Sequence, residues 1–187
     1  MLYTGKGDDG TTKTFGCDQR ISKGSLVAEA LGSLDEINSF LGLVKVKAIS
    51  LQESSPDKFI ILEKSFGEII TSVQQNLFII QAEAAGSEMT ISEEKLKECE
   101  SYVNEAEKML PPITSFFVSG GTELASIFDI SRTMARRAER EVVRAEVEIK
   151  IGKFSLAYLN RLSSLLYAMA RLSNHLMEIV EDGPTYK

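Results

Sequence analysis

Histidine is almost missing from this chain: His175 is the only one in 187 residues, and Cys17 and Cys99 are the only cysteines. That scarcity removes several chemistries at once. A di-iron centre in a helical bundle needs Glu-x-x-His on two helices, yet Leu172 stands three residues before the lone histidine. Two distant thiols supply neither a disulfide framework nor a zinc site, so both read as ordinary reduced thiols, and no metal ligand is assigned. A Ser-His or Cys-His nucleophile lacks a placed partner, and His175 reads as a partly buried helix residue rather than a ligand or base. Positive excess is missing too. Lys and Arg number 21 against 27 Asp and Glu, a net charge of −6, the wrong balance for a surface that tracks nucleic-acid phosphates. No long uncharged apolar run suggests a membrane span, and the opening Met1-Leu2-Tyr3-Thr4 leads into glycines rather than a signal peptide, so a cytoplasmic protein is expected. There is no internal repeat or low-complexity tract. With 43% hydrophobic and 26% charged residues, residues 1–187 fit one domain whose core needs no covalent staple.

What the chain has in abundance is helical periodicity from about Gly24 onward. Val27, Leu31, Leu34, Ile37 with Asn38, Leu41 and Val44 recur at threes and fours, which predicts an amphipathic helix from about Ser25 to Ala48. A second is expected from about Pro56 to Ala84. A third starts at Ser92, a cap followed by Glu93 and Glu94, and reaches Leu110, where Pro111-Pro112 stops it. The breaker Ser119-Gly120-Gly121 leaves Thr122 to cap a fourth helix that runs to about Ile151, with Gly152 ending it. The fifth covers about Phe154 to Val180, burying Leu162, Leu165, Leu166, Met169, Leu172 and Leu176. Five long helices with short links predict an all-α fold: an antiparallel five-helix bundle of the ferritin-like topology class over 24–181, with an irregular loop before it (1–23) and a tail after it (182–187).

The scarce positive charge is concentrated. Between Ser131 and Arg140 four arginines and one glutamate share a strongly helical segment. At about 100° per residue, Arg132, Arg136 and Glu139 stand on one face, and Arg137, Arg140 and Arg144 form a second stripe. Forked guanidinium donors that never deprotonate suit a polyphosphate; the alternative is a solvated face with i,i+4 Arg–Glu pairs. At the other end, Tyr3-Thr-Gly-Lys-Gly-Asp-Asp-Gly-Thr-Thr12 exposes backbone N–H groups that can approach an anion, with Lys6 as a point charge. Gly5, Gly7 and Gly10 match G-x-G-x-x-G, but only four residues precede them, too few for the strand of a dinucleotide fold, and no Walker A follows. A flexible N-terminal turn explains the glycines about as well.

Taken in order, Tyr3-Thr4-x-x-Gly7-Asp8-x-Gly10-x-Thr12, Gly32-Ser-Leu-Asp35-Glu36-Ile-Asn38-Ser, Phe116-x-x-x-Gly120-Gly121-Thr122, Arg132-Thr-x-x-Arg136-Arg137-Ala-Glu139-Arg140 and Tyr158-Leu-Asn160-Arg161-Leu162-Ser163 resemble the PduO-type ATP:cob(I)alamin adenosyltransferases. The resemblance spans nearly the whole chain. It implies a five-helix bundle assembled as a homotrimer with active sites between subunits, transferring the 5′-deoxyadenosyl group of ATP to cob(I)alamin and releasing triphosphate. It also implies Mg²⁺ bound through the triphosphate, a corrinoid reductase and an adenosylcobalamin-dependent acceptor enzyme as partners. By the same resemblance, Thr4, Gly5, Lys6, Gly7, Thr12 and Lys13 wrap the polyphosphate and Lys23 adds a further contact. Arg136, Arg137, Glu139, Arg140 and Asn160 belong to the nucleotide site, Asp35 and Arg132 form a salt bridge across the subunit boundary, and Phe116 helps displace the lower axial base of cobalamin. The residues alone leave alternatives open: a solvated Lys23, a surface amide at Asn160, Asp35 and Arg132 that never meet, or Phe116 packed with Phe117 in the core. The family usually continues Asn-Arg-Leu-Ser with Asp, whereas Ser164 stands here, which puts a polar contact at the subunit or corrinoid side in doubt. Two rival classes are a phosphohydrolase on the same bundle and a non-enzymatic nucleotide sensor.

Overall fold

A computed structural model describes residues 2–14 and 20–186. Five helices carry the fold: α1 (Leu26–Ser54), α2 (Phe66–Ala84), α3 (Glu93–Met109), α4 (Glu123–Ala145) and α5 (Lys153–Leu176). Two short antiparallel strand pairs accompany them. β1 (Thr11–Lys13) pairs with β2 (Arg20–Ser22) ahead of the bundle, and β3 (Ile60–Ile61) pairs with β4 (Lys64–Ser65) between α1 and α2. Helix α4 packs on α5 and α1, α1 also on α2, and α3 on α5.

The starts of the helices are written in the sequence. Ser25, Ser92 and Thr122 accept hydrogen bonds from the N–H groups of Ala28, Lys95 and Ala125, and Ser65 forms a reciprocal capping box with Glu68. Each such cap contributes about 1 kcal/mol. Gly152 has no side chain to cap α5, so Glu83 of α2 takes over that role. Its Oε1 accepts the Gly152 N–H at 2.8 Å and its Oε2 the Ser155 hydroxyl at 2.5 Å. The C-terminus of α2 is thereby pinned to the start of α5.

In α1 the fully buried stripe is Val27, Ala30, Leu34, Ile37, Leu41, Val44 and Ala48, alternating steps of three and four. Leu31, placed on that stripe by periodicity, is half-buried instead and borders a surface depression. The expected helix from 56 begins ten residues late. Phe59, Leu62 and Glu63 adopt positive φ (58°, 48° and 63°), incompatible with a right-handed helix, and the chain turns through the β3–β4 hairpin. Burial compensates for this conformation: Phe59 is enclosed, its carbonyl accepts the Phe66 N–H at 2.9 Å, and its ring meets Phe66 edge-on, which in turn meets Phe128. Helix α4 ends six residues before the expected Ile151, and α5 ends at Leu176 rather than Val180. No described helix is long and apolar enough to cross a membrane.

Candidate active site

The buried stripe of α4 (Leu124, Phe128, Ala135, Ala138, Val142) throws its arginines to the flanks. Arg132 is half-buried, while Arg136, Arg137 and Arg140 are exposed. Arg132 and Arg136 reach one cavity of about 1010 Å³ that Phe116, Phe117, Tyr167 and Tyr186 also line. Phe116 is 77% exposed at its edge, which excludes a place in the core. Ser164 lines the same cavity.

Arg136 is shared with a second groove of about 410 Å³ formed with Glu139, Arg140, Val143, Arg144 and Asn160. Here the amide of Asn160 is fixed at both ends. Its Nδ2 donates to Glu139 Oε1 at 3.0 Å, and its Oδ1 accepts from Arg161 Nη1 at 2.8 Å, while Arg161 Nε is held by Glu100 of α3 at 3.0 Å. Arg140 Nη1 donates to the Arg136 carbonyl at 2.9 Å, and Arg144 pairs with Glu141 at 2.8 Å. Arg137 lies outside both linings and is ion-paired with Glu36 of α1.

Asp35 is exposed on α1, in a depression with Leu31, Gly32 and the exposed ring of Phe78. Within the chain Arg132 pairs with Asp129 instead, Nε to Oδ1 at 3.5 Å, and that nitrogen makes no hydrogen bond.

The glycine loop is ordered by its own backbone. Gly5 (φ 68°) and Gly10 (φ 77°) occupy left-handed positions, and turns close from Asp8 N–H to Gly5 O and from Gly10 N–H to Gly7 O, both at 3.2 Å. Lys23 is not merely solvated: its ammonium donates to Gly7 O at 2.8 Å, while its N–H donates to Gly10 O at 2.9 Å. Arg20 donates to Thr11 O at 2.9 Å and also to the Lys6 carbonyl. Hydrogen bonds from the hydroxyl and N–H of Thr11, with the charge of Arg20, hold the Asp9 carboxyl below its usual range. Thr4, Lys6 and Lys13 are exposed on this scaffold, with Thr12 half-buried on β1.

His175 is exposed in the last turn of α5, not partly buried. Cys99 is a buried free thiol, and Cys17 lies outside the described residues. Sequence reasoning missed a buried cluster behind the large cavity. Arg171 of α5 is 2% exposed and ion-paired with Asp129 at 2.5 Å and with Glu181. Asn174 Nδ2 donates to Glu181 at 2.6 Å and to Gly120 O at 2.9 Å, and its Oδ1 accepts the Thr122 N–H at 2.8 Å. The signal that could have found it was the setting of Arg171: Ala168, Met169 and Ala170 before it and Leu172 after it are apolar, and a charge enclosed among them must be paired.

The family described as cobalamin adenosyltransferase matches residues 2–173. Corrinoid adenosyltransferase PduO of Citrobacter freundii is 35% identical over 181 residues, covering 93% of this chain and 50% of its own length. Corrinoid adenosyltransferase of Bacillus subtilis is 34% identical over 177 residues, covering 92% and 86%. Thus the chain spans about half the length of the PduO relatives it matches but most of the Bacillus protein. Among solved structures, a phenylalanine-to-histidine variant of a PduO-type ATP:corrinoid adenosyltransferase from Lactobacillus reuteri, complexed with cobalamin and ATP, superposes with a TM-score of 0.86 at 27% identity, covering 100% of this chain and 97% of that one.

Proposed function

The chain belongs to the cobalamin adenosyltransferase family, and from that premise we propose that it transfers the 5′-deoxyadenosyl group of ATP to cob(I)alamin, forming adenosylcobalamin and releasing triphosphate. One observation carries the reading: Arg136 stands between a large cavity with aromatic walls and a groove lined by arginines. The first suits a flat macrocycle, the second a polyphosphate, and their shared wall is where the two substrates would meet.

In this reaction the reduced cobalt centre of the corrinoid substrate is the nucleophile. A Co–C5′ bond forms, the C5′–O bond breaks with its electron pair leaving on triphosphate, and cobalt passes from Co(I) to Co(III). No general base is required, which accords with the scarcity of histidine. The chain contributes positioning and charge. Arg136 and Arg140, with Lys6 and the loop N–H groups, stabilise the charge that builds on the departing triphosphate, and they do so most strongly where water is excluded. Asn160, its amide locked by Glu139 and Arg161, offers a fixed polar group to the nucleotide. No group of three or more acidic, His or Cys residues that could hold a metal occurs among the described residues. A Mg²⁺ accompanying ATP would be held through phosphate oxygens, where it would neutralise part of their charge.

The reading includes a homotrimer with sites between subunits. Asp35, exposed beside Phe78 on one chain, would meet Arg132 of the next. A corrinoid reductase and an adenosylcobalamin-dependent acceptor are the partners that such a reaction calls for, and a cytoplasmic location supplies its substrates. The test is to mix protein, MgATP and chemically reduced cobalamin and follow conversion of the cob(I)alamin absorbance to that of the alkylated form. Phosphate release from ATP without corrinoid would favour a phosphohydrolase, and ATP binding without Co–C bond formation a sensor.

A further inference from the structure

Arg171, Asp129, Glu181 and Arg132 form a chain of alternating charge behind the large cavity, two cations and two anions. Arg171 and Asp129 are almost wholly enclosed, and Glu181 nearly so. The two arginines differ. Arg171 is locked: one arm binds Asp129 Oδ2 at 2.5 Å, the other binds Glu181, and its guanidinium carbon sits 5.2 Å from the Tyr167 ring centroid and 5.8 Å from that of Phe117. Among the described residues of one chain, Arg132 is ion-paired only with the other carboxylate oxygen of Asp129, Nε to Oδ1 at 3.5 Å without a hydrogen bond, and its side chain is 29% exposed on the cavity. Arg132 also lines the cavity, where its two terminal nitrogens are available as further donors.

We propose that Asp129, itself locked by Arg171, is a positioning residue that fixes the guanidinium of Arg132 so that its terminal N–H groups serve the cavity. The proposal rests on the adenosyltransferase reading only for what Arg132 serves; the positioning is a property of the chain. A carboxylate free to rotate would let Arg132 follow it. Because Arg171 occupies one oxygen from a buried, stacked position, the direction of the other is set by the core of α5 rather than by solvent. Charge is balanced across the four groups, so removing either carboxylate leaves an enclosed cation short of a partner.

The test reads Arg132 directly. The side-chain Nε–H of Arg132 is followed by ¹⁵N relaxation in the full chain, with solvent-exposed Arg140 as internal reference. In the wild type Arg132 should be rigid and Arg140 mobile. Asp129→Asn should free Arg132, whereas Glu181→Gln, which breaks the other arm of Arg171, should leave Arg132 rigid. If Asp129→Asn does not fold, Arg171→Lys replaces it: a single ammonium cannot fork to both carboxylates, so Arg132 should again gain mobility. In turnover assays Asp129→Asn should lower kcat by roughly ten- to a hundredfold with little change in KM for ATP, the scale expected from misplacing a group near the chemistry by about 1 Å. Arg132→Lys should add little further loss in that background. An Arg132 as mobile as Arg140 in the wild type, or one unchanged in both Asp129→Asn and Arg171→Lys, would overturn the positioning role. A rigid Arg132 that loosens as expected in a protein without corrinoid activity would leave the positioning role intact and refute the functional reading instead.

Discussion

Truncating Phe116 separates the corrinoid from the nucleotide half of the account. The ring is 77% exposed, so only about a quarter of the ~1.5–3 kcal/mol that full burial of a phenylalanine contributes is at stake, about 0.4–0.7 kcal/mol. For a chain of this size that is a fall in Tm of roughly 1–3 °C. Phe116→Ala should therefore fold and melt nearly as the wild type does. Its ATP affinity should also stay near the wild-type value, since an apolar ring has nothing to offer phosphates. The loss should appear when adenosylation starts from cob(II)alamin. A ring at the cavity edge that excludes the lower axial ligand favours the ligand-free cobalt, whose Co(II)/Co(I) potential is higher; without the ring more cobalt keeps its ligand and resists reduction. Corrinoids that lack the lower base should be affected much less. The assay is adenosylation of both corrinoids under one reductant, beside a thermal melt and an ATP titration. An equal loss with both corrinoids in a well-folded variant would refute the reasoning, and a melt lowered by the ~3–5 kcal/mol of a buried phenylalanine would refute the exposed placement.

Arg136→Lys keeps the charge at the junction of the two cavities but loses the fork, so activity should stay far below wild type; near wild-type turnover would argue against bidentate phosphate recognition. Asp35→Asn should weaken both self-association, read by sedimentation, and ATP binding, and its combination with Arg132→Lys should show a coupling above about 0.5 kcal/mol, whereas additive losses would place the two residues apart. Burial pushes the Cys99 thiol up from its ordinary 9.0 to about 12. The folded state thus retains a proton that the unfolded chain releases, so the contribution is complete below about pH 9 and is lost as pH rises towards 12. Urea unfolding across that interval should show a steeper decline in the wild type than in Cys99→Ala; parallel declines would mean that the thiol is not enclosed.

Helix starts were legible because they depend on neighbours in sequence: Ser92 and Thr122 are caps in the structure as the local pattern predicts, and Ser25, where the first helix was expected to begin, caps α1. The segment after Pro56 was not. Phe59-Ile60-Ile61-Leu62 reads as another helical turn, and only burial of Phe59 against Phe66 supports the left-handed backbone there. Likewise Phe116 and Phe117 are indistinguishable by composition, yet one is exposed at the cavity edge while the other faces Arg171. The arginine stripes of α4 follow from helical geometry, but their division of labour does not. Arg137 turns to Glu36 because α1 packs alongside, while Arg136 is left facing two cavities, and only tertiary packing decides which. The cluster around Arg171 joins α4, α5 and the C-terminal segment, a coincidence of three distant stretches that no spacing rule encodes.

The central claim is that the leaving group of ATP departs as one piece when cobalt attacks C5′. A reaction of the protein with MgATP and cob(I)alamin, quenched and resolved by ³¹P spectroscopy beside the corrinoid spectrum, measures this directly. The account predicts one intact triphosphate for each Co–C bond formed. Orthophosphate or diphosphate appearing in proportion to ATP consumed, with the corrinoid unalkylated, would contradict it.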